Sequence, residues 1–108
     1  MLLSASSIIG DDVRNLAGED LGEIEDLMID LTTGNVSYVV LTFGGFMNLG
    51  NKLFAVPMEA LTVNTEDKCF VLNEPKERLE NAPGFDKDNW PDFADTNWHN
   101  EVRSFYRL

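Results

Sequence analysis

The chain has 108 residues, 44% of them apolar, which suits one domain with one modest core. Nineteen acidic residues against eight basic ones give a formal net charge of -11, which repels phosphate backbones and anionic headgroups and speaks against nucleic-acid binding. Cys69 is the one cysteine, so no internal disulfide forms, and no run approaches the ~18 apolar residues of a membrane span.

The start, Met1-Leu2-Leu3-Ser4, lacks the basic stretch and long apolar run of a secretory signal. The expectation is therefore a cytoplasmic protein with no membrane insertion. A domain this small leaves much of its surface wet, and pairing with a second copy would bury more of it.

Residues 8–15 read as a short strand or turn, and Asn15-Leu16-Ala17-Gly18 then punctuates the chain. Residues 21–31 fit two patterns. Leu21, Ile24, Leu27, Met28 and Leu31 form a helical stripe. The same stretch fits a bulged strand, with Gly22, Ile24, Leu27, Ile29 and Leu31 inward and Glu25-Asp26 as the irregularity. Thr33-Gly34-Asn35 is a turn. Residues 36–43 are rich in β-branched and aromatic side chains and apolar on both faces, which predicts a central strand.

A loop follows over 44–50, then a strand over 52–57 that Pro57 ends, because proline has no N–H for the ladder. Met58 to Leu61 suit one helical turn. Residues 62–64 and 69–72 form a hairpin around 65–68. Pro75 to Glu80 suit a short helix with proline in its first turn. The tail is acidic and aromatic: Phe85, Trp90, Phe93, Trp98, Phe105 and Tyr106 are more than half of the chain's Phe, Trp and Tyr. Trp98, Val102, Phe105 and Tyr106 share one face of a short helix, capped by Asp95 or Thr96, with His99 towards its polar side.

In order and spacing these features resemble the PRC-barrel domain family. The matching pieces are Ile9-Gly10-Asp11-Asp12-Val13, Gly18-Glu19-Asp20-Leu21-Gly22 and Ile24 to Asp30, then Gly34 to Leu41, Phe54-Ala55-Val56-Pro57 and Leu61. The resemblance spans residues 4–74 and is nearest to stand-alone bacterial members. It implies a mainly β fold, a small barrel of five to six short strands with a short C-terminal helical extension, and it makes 21–31 a bent strand. The division it implies is a barrel over 1–75 and an extension over 76–108, packed on the barrel or at an interface. It further implies a docking or assembly role with no shared catalytic site. The photosynthetic role of the reaction-centre relative does not transfer, since no membrane helix is found. Ribosome binding, as in the maturation-factor relative, does not fit the acidic surface.

The chemical motifs are weak. Residues 45–52 imitate a phosphate-binding loop, but no Ser or Thr follows Lys52 and a strand stands where a helix is needed. Asp86, Asp88, Asp92 and Asp95 lack the calcium-loop pattern, since Pro91 and Asn97 fall at its Gly and Glu positions. His99 is the only histidine, too few for a zinc site. Cys69 lies in an apolar run that suits a buried, inert thiol, not a nucleophile served by His99. No catalytic residue, cofactor or metal is expected.

What remains is apolar surface. Phe46, Met47 and Leu49 sit on a loop, and Trp90, Phe93, Trp98, Phe105 and Tyr106 lie in the tail; together they form the expected interaction surface. The expected function is a non-catalytic assembly module that self-associates as a dimer, with a basic protein as the other partner the charge would favour. Two alternatives stand beside it. One is a small-molecule-binding barrel or minor enzyme, for which a polar cavity around Tyr38 or Cys69 would speak. The other is a stress-linked protein that works through its acidic surface.

Overall fold

The computed structural model describes residues 2–42 and 52–108. A single turn of helix, α1 (Ala5–Ile8), opens the chain, capped by the Ser4 hydroxyl on the Ser7 N–H. Seven strands follow: β1 (Asp12–Arg14), β2 (Asp20–Asp30), β3 (Asn35–Thr42), β4 (Lys52–Pro57), β5 (Leu61–Asn64), β6 (Cys69–Leu72) and β7 (Gly84–Asp86). A 3₁₀ turn over Met58–Ala60 links β4 to β5, and two helices, α2 (Lys76–Leu79) and α3 (Thr96–Phe105), lie in the last third. The protein is mainly β with a short C-terminal helix, as the sequence implied.

The strands form one sheet in the order β5-β6-β1-β2-β3-β4-β7. β1 and β6 are parallel, and the other neighbours are antiparallel. Among the described residues no ladder joins β5 to β7, so the sheet curls without closing. The edges are strands of four and three residues, short enough to offer little to a stray strand.

β2 is a strand, which resolves the helix-or-strand ambiguity. Its ladder with β3 shifts register between Ile24 and Asp26, at the expected bulge, and again between Met28 and Ile29. That second shift corrects the expectation of an inward face running to its end. Leu21, Gly22 and Ile24 are buried, but Ile29 is 50% and Leu31 91% exposed. The cause lies in the ladder lengths: β4 pairs with β3 only as far as Tyr38, opposite Pro57, so the end of the β2–β3 hairpin projects past the sheet as a two-stranded arm. Gly34, at φ +79, makes the turn at its tip, a conformation that costs other residues more.

β3 buries Tyr38, Val39, Val40 and Leu41 in succession, as a strand covered on both faces must. Tyr38, Val39 and Leu41 join Phe54, Val56, Leu72 and Val13 in a core that also takes Leu79, Ala82, Val102 and Tyr106 from the last third of the chain. β7 was not legible beforehand. It pairs Phe85 with Leu53 and Gly84 with Phe54. A side chain at 84 would meet the Leu53 carbonyl at 2.9 Å, so this crossing needs glycine. Asn15 ties β1 to the segment after β6, donating to the Glu74 carbonyl at 3.2 Å and the Glu19 carboxylate at 2.8 Å.

Candidate functional site

α3 is the element that builds the site. Asp95 caps it, its carboxylate accepting from the Asn97 N–H at 2.9 Å, so the choice between Asp95 and Thr96 falls to Asp95. The helix packs on β4 and buries Val102 and Tyr106. His99 does not face outward, contrary to the helical-wheel expectation. Its Nε2 donates to the Phe93 carbonyl, which leaves Nδ1 of the neutral ring to accept from the Tyr38 hydroxyl at 2.7 Å. A ten-residue helix is too short for periodicity to fix every side chain; here a buried hydroxyl recruited the imidazole.

Burial holds the Tyr38 hydroxyl above its ordinary pKa, although the neighbouring Arg103 pulls it down. Arg103 reaches on to Glu59, 2.8 Å away in the 3₁₀ turn, and that hydrogen bond holds the Glu59 carboxyl below the usual range. A continuous polar line thus runs from the 3₁₀ turn through Arg103 and Tyr38 to His99, fastening α3 across the sheet.

The aromatic residues form a second line. Ring centroids lie 5.1 Å apart for Phe85 and Trp90, 6.1 Å for Trp90 and Phe93, 4.9 Å for Phe93 and Trp98, and 5.3 Å for Trp98 and Tyr38. Such offset and edge contacts add to the area they bury. Of the expected interaction residues, Trp90 is 38% exposed, while Phe93, Trp98 and Phe105 are half-buried. Tyr106 is a correction: at 6% exposure it belongs to the core and offers no face to a partner. Phe46, Met47 and Leu49 lie outside the described residues.

Between this cluster and the arm lies an open concavity of about 240 Å³, lined by Met28, Ile29, Asp30, Tyr38, Phe93 and His99 among others. Sequence reading missed the arm's share of it, because Ile29 and Leu31 were assigned to the interior. A second concavity, of about 310 Å³, borders Cys69, with Leu3, Val63 and Phe70 giving it an apolar lining. Cys69 and His99 therefore stand in different surroundings. The tail acids serve local structure, as Asp92 accepts from the Ala94 N–H at 2.9 Å. Among the described residues no group of three or more His, Cys, Asp or Glu is placed to hold a metal.

Glu74 also escaped notice, as one acid among nineteen. Its side chain is 4% exposed, with Arg107 donating to Oε1 at 2.9 Å and Arg78 Nε at 2.9 Å from Oε2, an ion pair bent away from hydrogen-bond geometry. The Arg78 guanidinium lies 4.2 Å from the Phe105 ring centre and donates to the Phe105 carbonyl. Beside this triad the Tyr106 hydroxyl is buried with no hydrogen-bond partner among the described residues, and burial first, Glu74 second, pushes its pKa up.

The fold and site together define a small β module locked by its own C-terminal segment. The PRC-barrel domain family matches residues 2–79, which is most of the chain, and the chain belongs to that family. The comparison with curated proteins gives no match. Among the described residues no helix is long and apolar enough to cross a membrane.

Proposed function

We propose that this protein is a non-catalytic assembly module that acts in the cytoplasm and associates with a second copy of itself. The observation that carries the reading is the concavity between the arm and the tail. It is rimmed by apolar groups that remain in water: Ile29 on one side and, through its contact with Phe93, Trp90 on the other. Leu31, next in the chain after the lining residue Asp30, is almost fully exposed. A pit beside projecting apolar side chains suits an isologous contact, in which each copy supplies the knob and the hole.

The small-molecule reading has less support. The Tyr38 concavity is smaller than the ~300 Å³ where ligand pockets usually begin. The two polar groups best able to orient a ligand there, Tyr38 and His99, are bonded to each other. The Cys69 concavity is larger, and Ser7, Asp11, Asn64 and Lys68 stand among its apolar lining, so it is the better place for a ligand of the two.

Light scattering on the full chain tests the proposal. A truncation at Gly84 would not serve, because it removes most of β7 and the buried Val102 and Tyr106. Leu31→Asp and Trp90→Ala leave the core intact. A dimer that these substitutions dissociate supports the reading; a monomer throughout the accessible concentration range sinks it.

A further inference from the structure

β2 has an outer edge that is paired over only part of its length. β1 pairs with β2 only from Asp20 to Glu23. One step further, Ile24 donates to the Asp11 carbonyl at 3.0 Å and accepts from the Gly10 N–H at 2.8 Å. There the partner stops. β2 runs on to Asp30, paired with β3 on its other side as far as Asn35. Among the described residues nothing forms a ladder with the outer side of residues 25–30. The Leu27 N–H is met by the neighbouring Asp26 carboxylate, at 2.8 Å.

This open edge has a one-sided charge. Glu23, Glu25, Asp26 and Asp30 all lie on β2, and all are exposed. None of them forms an ion pair among the described residues. No Lys or Arg occurs anywhere between Arg14 and Lys52. Open edges are commonly guarded by charge, and here every guard is negative. A second copy meeting this edge would set acids against acids, an unfavourable juxtaposition. A strand carrying Lys or Arg would turn that penalty into attraction.

We infer that the outer edge of β2, over residues 25–30, accepts an extended basic segment of another protein as an added antiparallel or parallel strand. Backbone hydrogen bonds would supply the affinity, and the acids would select the sequence. Lys or Arg at alternate positions would reach Glu25, Asp26 and Asp30, while small apolar residues between them would cover Ile29. The inference rests on the open edge and its charge, not on self-association, although the added strand would share Ile29 and Asp30 with the concavity on the tail side of the arm.

The test uses the full chain and three short synthetic peptides: one alternating Lys and Val, the same peptide N-methylated along one edge, and one alternating Glu and Val. The Lys peptide should bind, weaken as salt rises, and slow amide hydrogen exchange across residues 25–30. The N-methylated form keeps the charge but lacks the donors, and it should not bind. The double substitution Asp26→Lys with Asp30→Lys, at exposed positions, should weaken the Lys peptide by at least about ten-fold. Equal binding of the N-methylated peptide would reduce the effect to plain charge attraction and overturn the inference. So would failure of the Lys peptide to bind, or protection of residues 25–30 in the chain alone at high concentration, which would give the edge to a second copy.

Discussion

Replacing Glu74 by Gln keeps the shape of the side chain and removes its charge. In the folded protein that carboxylate faces Arg78 and Arg107, each at 2.9 Å, from a position 4% exposed. Breaking a fully buried pair costs roughly 3–5 kcal/mol, because the surviving charge is stranded away from water. Here the survivors are not stranded: the Arg78 side chain is 33% exposed and that of Arg107 66%. Solvent therefore recovers part of the loss, and about 2–3 kcal/mol remains. In a domain of this size that lowers the melting temperature by about 10 °C. Thermal melts and urea titrations followed by circular dichroism read the effect. The same reasoning orders the partners. Arg107→Ala should cost under about 1 kcal/mol, as exposed pairs do, and Arg78→Ala more, since it strips Glu74 of its less exposed shield and Phe105 of a stacked cation. A Glu74→Gln melt within about 3 °C of the parent, or an Arg107 variant as damaged as Glu74→Gln, would refute the view that burial of the carboxylate makes the triad matter.

Other outcomes follow from the same coordinates. Tyr106→Phe should be neutral or stabilising by up to about 1 kcal/mol in urea titrations, because the deleted hydroxyl has no partner among the described residues. Burial raises the pKa of both Tyr38 and Tyr106 above the ordinary 10.0. Below that value their contribution to stability is fully present; above it the unfolded chain loses its tyrosine protons first, so stability should fall as pH climbs, and tyrosinate absorbance should appear together with unfolding. Tyr106→Phe should weaken that alkaline loss. Val102→Ala leaves a hole where α3 meets the core and should cost about 2 kcal/mol, a larger melting shift than Trp90→Ala at its half-wet site.

Legibility in the sequence followed the reach of the forces involved. β3 was plain because Tyr38 to Leu41 carry their instructions locally: branched or aromatic, and apolar on both sides. β2 was ambiguous because two register shifts break its period of two, and a broken period of two resembles a helical stripe. β7 has three residues, and what makes it a strand is Leu53 and Phe54 across the sheet, not any pattern of its own. The aromatic tail could be singled out, but not its division of labour. Tyr106 went inward while Trp90 stayed at the surface, a choice made by where α3 lands on β4. The roles of His99 and Glu74 were hidden for the same reason. Their partners, Tyr38 and Arg107, are distant in sequence and become neighbours only once the tail has docked.

The order of strands in the sheet also sets a clock. β2 and β3 are joined by a tight turn and can zip as soon as both exist, since closing a short loop is fast. β1 and β4 can pair with β2 and β3, but their other sides are met only later, β1 by β6, where Val13 lies beside Phe70, and β4 by β7 and α3. Long-range closures of this kind slow folding and leave apolar strands uncovered meanwhile. A nascent chain that has emerged only through residue 79 would hold its hairpin while Phe54 and Val56 still lacked the cover of Val102 and Tyr106. The stretch that carries the family pattern is thus kinetically unfinished, and the steps most exposed to aggregation or chaperone capture are the last ones, when the tail comes home.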